Sequence, residues 1–223
     1  MDGLSIGAQE GNIEIYGLPD GTELVEVPAE LGKTLAHLGL HNSDLQFATE
    51  CLDALTARAT STDEGPDIVQ QALWNAALVA TYKCFGDNRA RERLKVVDIF
   101  GEKRQTVDYY WDLRRKNVVH DENDLAQAHV LAVLNQAGAE PKIFDVLCSV
   151  MEFTDADTKN AAVLRWVVDM ARAWVEEQIE MRRSSIADEL NNWSREALDA
   201  LAPMLGRKPT TDTIGVTRVT PTK

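Results

Sequence analysis

Positive charge is scarce in this chain of 223 residues, where 23 lysines and arginines face 36 aspartates and glutamates and the net charge is −13. That balance argues against a protein that coats nucleic acid non-specifically, because such binding runs on cations that neutralise phosphates. Cysteine is equally sparse. Cys51, Cys84 and Cys148 are odd in number, far apart and without metal-type spacing. They exclude a cysteine zinc site and point to reduced thiols in a cytoplasmic protein. No apolar run approaches the roughly 20 residues that span a bilayer, so no membrane role is expected. Met1 to Ser5 lack the basic-then-apolar order of a signal peptide. Glycine-rich phosphate loops and hydrolase elbows are also missing.

What remains is an ordinary globular composition, 44% hydrophobic and 26% charged, long enough to bury one sizeable core. The few cations are unevenly spread. Residues 83–116 hold ten basic side chains against six acidic ones, a local +4 that leaves −17 for the rest. An ion-paired solvated face and an electropositive site in an acidic body both fit that excess.

The pattern predicts a mainly α protein, an antiparallel helical bundle with small β-hairpin additions. Residues 1–40 read as an extension with a hairpin over 12–27, where Ile13 and Ile15 alternate with polar neighbours and Asp20-Gly21 signals a turn. His37 to Asn42 reads as a loop. Ser43 or Asp44 would then cap a first helix running to about Arg58. Ser61 to Gly65 reads as a linker and Pro66 as the first turn of a helix ending near Phe85. A short basic helix is expected from Ala90 to about Ile99, a break at Gly101, and a helix from Glu102 to about Val118.

Residues 128–152 fit strand or helix by pattern alone. Their β-branched content, including Val130, Val133, Ile143, Val146 and Val150, favours a hairpin inserted in the helical domain of residues 41–204. From about Asp157 two adjacent apolar stripes mark a core helix: Val163, Val167, Met170 and Trp174, and Leu164, Val168, Ala171 and Val175. It is expected to continue through Ile186, Leu190, Trp193, Leu198 and Leu201 until Pro203, with Ser184-Ser185 a candidate break. Residues 205–223 lack a core pattern and are expected to form a mobile tail.

The segment with the most chemistry is Asp112-Leu113-Arg114-Arg115-Lys116-Asn117-Val118-Val119-His120. Arginine is a permanently charged fork that matches phosphate, and histidine moves protons near neutral pH. On a straight helix Arg114 and His120 point about 120° apart, so the helix must end or bend between them to bring the two together. Val118-Val119 and the acidic run from Asp121 make a plausible exit.

These residues resemble the higher eukaryote and prokaryote nucleotide-binding (HEPN) superfamily, whose hallmark is Arg-x(4–6)-His near a helix end. The branch related to abortive-infection proteins is the most similar. Its Tyr-x-Cys-Phe, basic segment and Arg…His block correspond here to Tyr82-Lys83-Cys84-Phe85, Arg89 to Leu94, and Arg114 to His120. The resemblance covers roughly residues 66–135. It implies a helical homodimer with two motifs in one cleft, and a ribonuclease that needs no metal or other cofactor. His120 would move the proton, while Arg114 or Arg115 clamps the phosphate. Lys116, Asn117, Arg89, Arg91 and Arg93 would attract RNA. Toxin and anti-phage roles follow, with an antitoxin or another protein as partner.

The place after the arginine, usually Asn, Asp or His in the family, holds Arg115 or Lys116 here. The position two past the histidine is Glu122 and not the tyrosine of the adenylylated variant. A non-catalytic helical interaction or assembly protein therefore stands as the alternative. Three further features read as structural before functional. His37 and His41 have a metal-compatible spacing with Asp44 nearby. Cys84 suits a buried thiol better than a nucleophile. His129, in an apolar run, reads as a core histidine, and the tryptophans read as core or dimer contacts.

Overall fold

The computed structural model describes residues 5–9, 12–17, 22, 24–59, 67–87, 91–114, 126–138, 140–152, 156 and 158–201. It is mainly helical with two separate two-stranded antiparallel sheets. The element order is β1 (Ser5–Gln9), β2 (Asn12–Tyr16), α1 (Ala29–Ala59), α2 (Ile68–Lys83), α3 (Val96–Phe100), a 3-10 turn, α4 (Arg104–Leu113), β3 (Ala126–Leu134), β4 (Ile143–Glu152), α5 (Thr158–Asn191) and α6 (Arg195–Asp199). No helix among the described residues is long and apolar enough to cross a membrane.

Two compact units divide the chain. One gathers residues 1–40, 87–92 and 177–223, and the other 41–86 and 93–176. The core of the second unit is built from amphipathic faces. α1 contributes Leu45, Ala48, Leu52 and Leu55, and α2 contributes Trp74, Ala77 and Leu78. α5 contributes Leu164, Val167, Val168, Ala171 and Val175, all fully enclosed. This matches the stripe expected from Leu164 to Val175; the neighbouring Met170 and Trp174 sit at its edge. An aromatic run, Tyr82–Phe85–Phe100–Trp166, links α2, α3 and α5 with ring centroids 5.9–6.0 Å apart. Such contacts add about 0.5–1.5 kcal/mol each beyond burial.

Several expectations change. An N-terminal hairpin lies over residues 5–16, with Ser5 opposite Tyr16 and Gln9 opposite Asn12; of the second strand expected at 24–27, Val25 is a single β-bridge residue. Ile13 and Ile15 are in a strand as expected, but their partner precedes them. The Asp20-Gly21 turn lies outside the described residues. α1 runs without a break through His37–Asn42, where a loop was expected. One interior glycine, Gly39, weakens a helix by only about 1 kcal/mol, and burial along a 31-residue element outweighs that.

α2 starts at a capping box. Asp67 Oδ1 accepts from the N–H groups of Val69 and Gln70, and Gln70 Oε1 accepts from the N–H of Asp67. Pro66 and the 61–65 linker lie outside the described residues. The basic helix shrinks to Val96–Phe100, with residues 91–95 non-helical. Gly101 breaks it as expected, at φ +52°, a backbone angle that side-chain-bearing residues avoid. α5 passes through Ser184-Ser185 but stops at Asn191, short of the expected Pro203, and Ser194 caps the separate α6.

The inserted hairpin is present. β3 and β4 pair from Ala126↔Glu152 to Leu134↔Ile143, with a register shift near Val133. Alternation gives it two unlike faces. One carries Ala128, Val130, Ala132, Val146, Cys148 and Val150; the other carries Gln127, His129, Leu131, Asp145, Leu147 and Ser149. His129 is exposed and shares a hydrogen bond with Gln127, so it is not the core histidine expected.

Candidate functional site

α4 is the element that positions the motif. Its buried stripe is Val107, Tyr110 and Leu113. The helix is held from two sides. The Tyr82 hydroxyl on α2 donates to the Val107 carbonyl at 2.7 Å. The Tyr110 hydroxyl lies 3.3 Å from both the carbonyl and the Oδ1 of Asn160 on α5. Trp74 packs edge-on against Tyr110 and Tyr82 against Trp111, at 6.0 and 5.6 Å. Burial first, and then the neighbouring acidic groups Tyr110 and Asp108, hold the Tyr82 hydroxyl well above the ordinary tyrosine range, so it stays a donor.

Arg114 follows directly, still with helical backbone angles of φ −59° and ψ −48°. It lies seven residues after Val107, on the side of the buried stripe. The side chain is half-buried, and its Nε is enclosed with no hydrogen-bond partner. A guanidinium cannot relieve that by losing its proton. A buried donor without an acceptor costs about 1–3 kcal/mol, so the position calls for an explanation.

Arg115, Lys116, Asn117, His120 and Arg89 lie outside the described residues. Arg93 is exposed in the same unit as Arg114. Arg91 is placed differently from Arg93. It is only 6% exposed and belongs to the other unit, whereas a phosphate contact needs its charged head at the surface. Tyr82, Cys84 and Phe85 are all buried, so the Tyr-x-Cys-Phe signature packs the core. The Cys84 thiol lies 3.7 Å from the Ala80 carbonyl and 3.9 Å from that of His41, a structural thiol and not an accessible nucleophile.

His37 and His41 are both buried on α1. His37 Nδ1 accepts from the Glu92 N–H at 3.2 Å, which leaves the proton of the neutral ring on Nε2. No group of three His, Cys, Asp or Glu side chains able to hold a metal occurs among the described residues.

Sequence reading missed two features. Asp53 on α1 and Arg165 on α5 form an ion pair at the mouth of an open hollow of about 500 Å³, lined also by Leu52, Thr56, Ala161 and Ala162. A second hollow of about 390 Å³ borders α4 at Gln105, Thr106, Tyr109 and Asn160. Residues 112 apart in sequence carry no local signal of their pairing.

No known protein family, no curated protein and no solved structure matches this chain.

Proposed function

We propose that the protein is a metal-independent endoribonuclease of the HEPN type, working as a toxin or in anti-phage defence. The observation that carries this reading is Arg114, a permanent cation at the end of a firmly held helix, with an enclosed Nε that lacks an acceptor. A phosphodiester at the exposed part of this half-buried guanidinium would be held by charge-assisted bonds. His120 would take the proton from a ribose 2′-hydroxyl. The 2′-oxygen then attacks phosphorus, the P–O5′ bond breaks, and the leaving 5′-oxygen receives a proton. The products are a 2′,3′-cyclic phosphate and a 5′-hydroxyl. Arg114, or Arg115 beside it, would steady the charge that develops on the phosphate. Lys116, Asn117, Arg89 and Arg93 would guide the strand.

The test is cleavage of total RNA and of tRNA by the purified chain in chelator. A cyclic-phosphate product is expected from the parent. His120→Ala should lose at least about 100-fold of the rate, the scale of a general acid–base group. Arg114→Ala should lose a similar factor through the phosphate. A folded protein that cleaves neither RNA, or whose His120→Ala variant cleaves as well as the parent, sinks the proposal. One observation favours the non-catalytic reading in that event: the uncharged open face of the β3–β4 hairpin, a surface suited to assembly.

A further inference from the structure

The β3–β4 hairpin presents apolar side chains to solvent on a face with no charged group between Ala128 and Val150. Val130 is 73% exposed, Val146 58% and Val150 61%, and Ala128, Ala132 and Cys148 are exposed with them. A two-stranded hairpin is marginal alone in water and becomes stable when an apolar face is covered. Exposed apolar patches above a few hundred Å² mark interaction surfaces.

We infer that this face is a dimer interface and that its occupant is a second copy of the same face. Three observations select that occupant. The first is shape. Each cross-strand pair joins a small residue to a larger one: Ala128 faces Val150, Cys148 faces Val130, and Ala132 faces Val146. A two-fold axis along the strands, midway between two stacked hairpins, lays β3 of one copy over β4 of the other. Every small residue then meets a larger one: Ala128 meets Val150, Val130 meets Cys148, and Ala132 meets Val146. The face is its own complement, as a closed two-fold contact requires.

The second is charge. Two copies each carrying −13 repel over most of their surfaces, and the stretch of this face from Ala128 to Val150, which carries no charge, is where they can meet. The opposite face interleaves Leu131, Leu147 and Met151 with Asp145, Gln127, His129 and Ser149, so its apolar surface is broken by polar and charged groups.

The third is area. With Leu134 and Phe144 at the turn end, 69% and 73% exposed, the apolar residues present on the order of several hundred Å² per copy, the scale of the approximately 800 Å² that each partner of a standard interface contributes. Stacked sheets pack about 10 Å apart, close enough to exclude water between such side chains. This contact is separate from any pairing of the Arg114 segments, and it stands whether or not the protein cuts RNA.

Cys148 makes the test direct. It is the exposed cysteine, since Cys51 and Cys84 are buried, and it lies in the middle of the proposed interface. Sedimentation velocity of the full chain over the micromolar range is expected to show a monomer–dimer equilibrium. Val130→Glu should weaken it by about 100-fold or more, as an unpaired charge at an interface centre does, with an unchanged helical circular dichroism spectrum. Ser149→Glu, on the opposite face, should leave it unchanged. Maleimide labelling of Cys148 should be slow in concentrated parent protein, and fast on dilution and in Val130→Glu.

A parent that stays monomeric overturns the proposal. So does a Val130→Glu dimer of parental strength, equal weakening by Ser149→Glu, or a labelling rate independent of concentration. None of these readouts involves RNA, so their failure leaves the reading of Arg114 to its own test.

Discussion

Gly39 sits in the interior of α1, and a methyl group built there would meet nothing within 4 Å. Replacing it with alanine removes backbone freedom from the unfolded chain and creates no clash. Gly39→Ala should raise stability by about 0.5–1 kcal/mol in a urea titration. A loss would mean that the helix does not pass through residue 39. Tyr82 works in the opposite sense. It is fully enclosed, and its hydroxyl ties α2 to α4. Tyr82→Phe should cost about 1 kcal/mol by the same titration. The folded pKa of this group lies above the unfolded value of 10.0. Its contribution is therefore complete below pH 10.0 and is lost as the pH rises towards the folded value. The parent should lose stability in alkali more steeply than Tyr82→Phe, which lacks the titrating group.

Among the elements, α2 depends most visibly on one side chain. Asp67 accepts from two backbone N–H groups and from Arg58, whose Nη2 lies 2.6 Å away. The Arg58 hydrogen bond is the largest cause holding the Asp67 carboxyl below its usual range, followed by the N–H of Gln70. A lowered folded pKa means that the contribution is present above the unfolded value of 3.8 and fades as the pH falls through the folded one. Asp67→Ala should lower Tm at neutral pH and flatten the acid limb of a plot of Tm against pH. Asp67→Asn, which still caps, should keep more of the neutral-pH stability. An acid limb unchanged in both variants would show that the cap does not titrate with folding. The hairpin is the contrasting element. It is held by its own ladder and leaves both faces in solvent, which is why its outward valines ask for a partner while those of α5 do not.

At the scale of the molecule the acidic excess and the uncharged hairpin face work together. Repulsion between copies keeps most of the surface apart, and one face is left able to meet its copy. Raising the salt concentration screens that repulsion, so dimerisation should strengthen with ionic strength while RNA binding through Arg114 and its neighbours weakens. Opposite salt trends in the two assays would separate the two surfaces.

The helical class, the α5 stripe from Leu164 to Val175, the break at Gly101 and the inserted hairpin were all legible in the order of residues. They rest on periodicity, β-branched content and glycine geometry, which act over a few neighbouring positions. The same local reasoning missed the strand Ser5–Gln9 that pairs with Ile13 and Ile15 and put a loop across His37–Asn42. Strand pairing and the continuity of a long helix are settled by partners elsewhere in the chain. At the candidate site, sequence picked out Arg114 as a cation near a helix end. Only the tertiary structure decided that Arg114 lies on the buried side with an unpartnered Nε, that Arg91 is internal, and that the Tyr82–Phe85 signature is core. Burial is a property of the surroundings a residue folds into, and those surroundings come from residues far away along the chain.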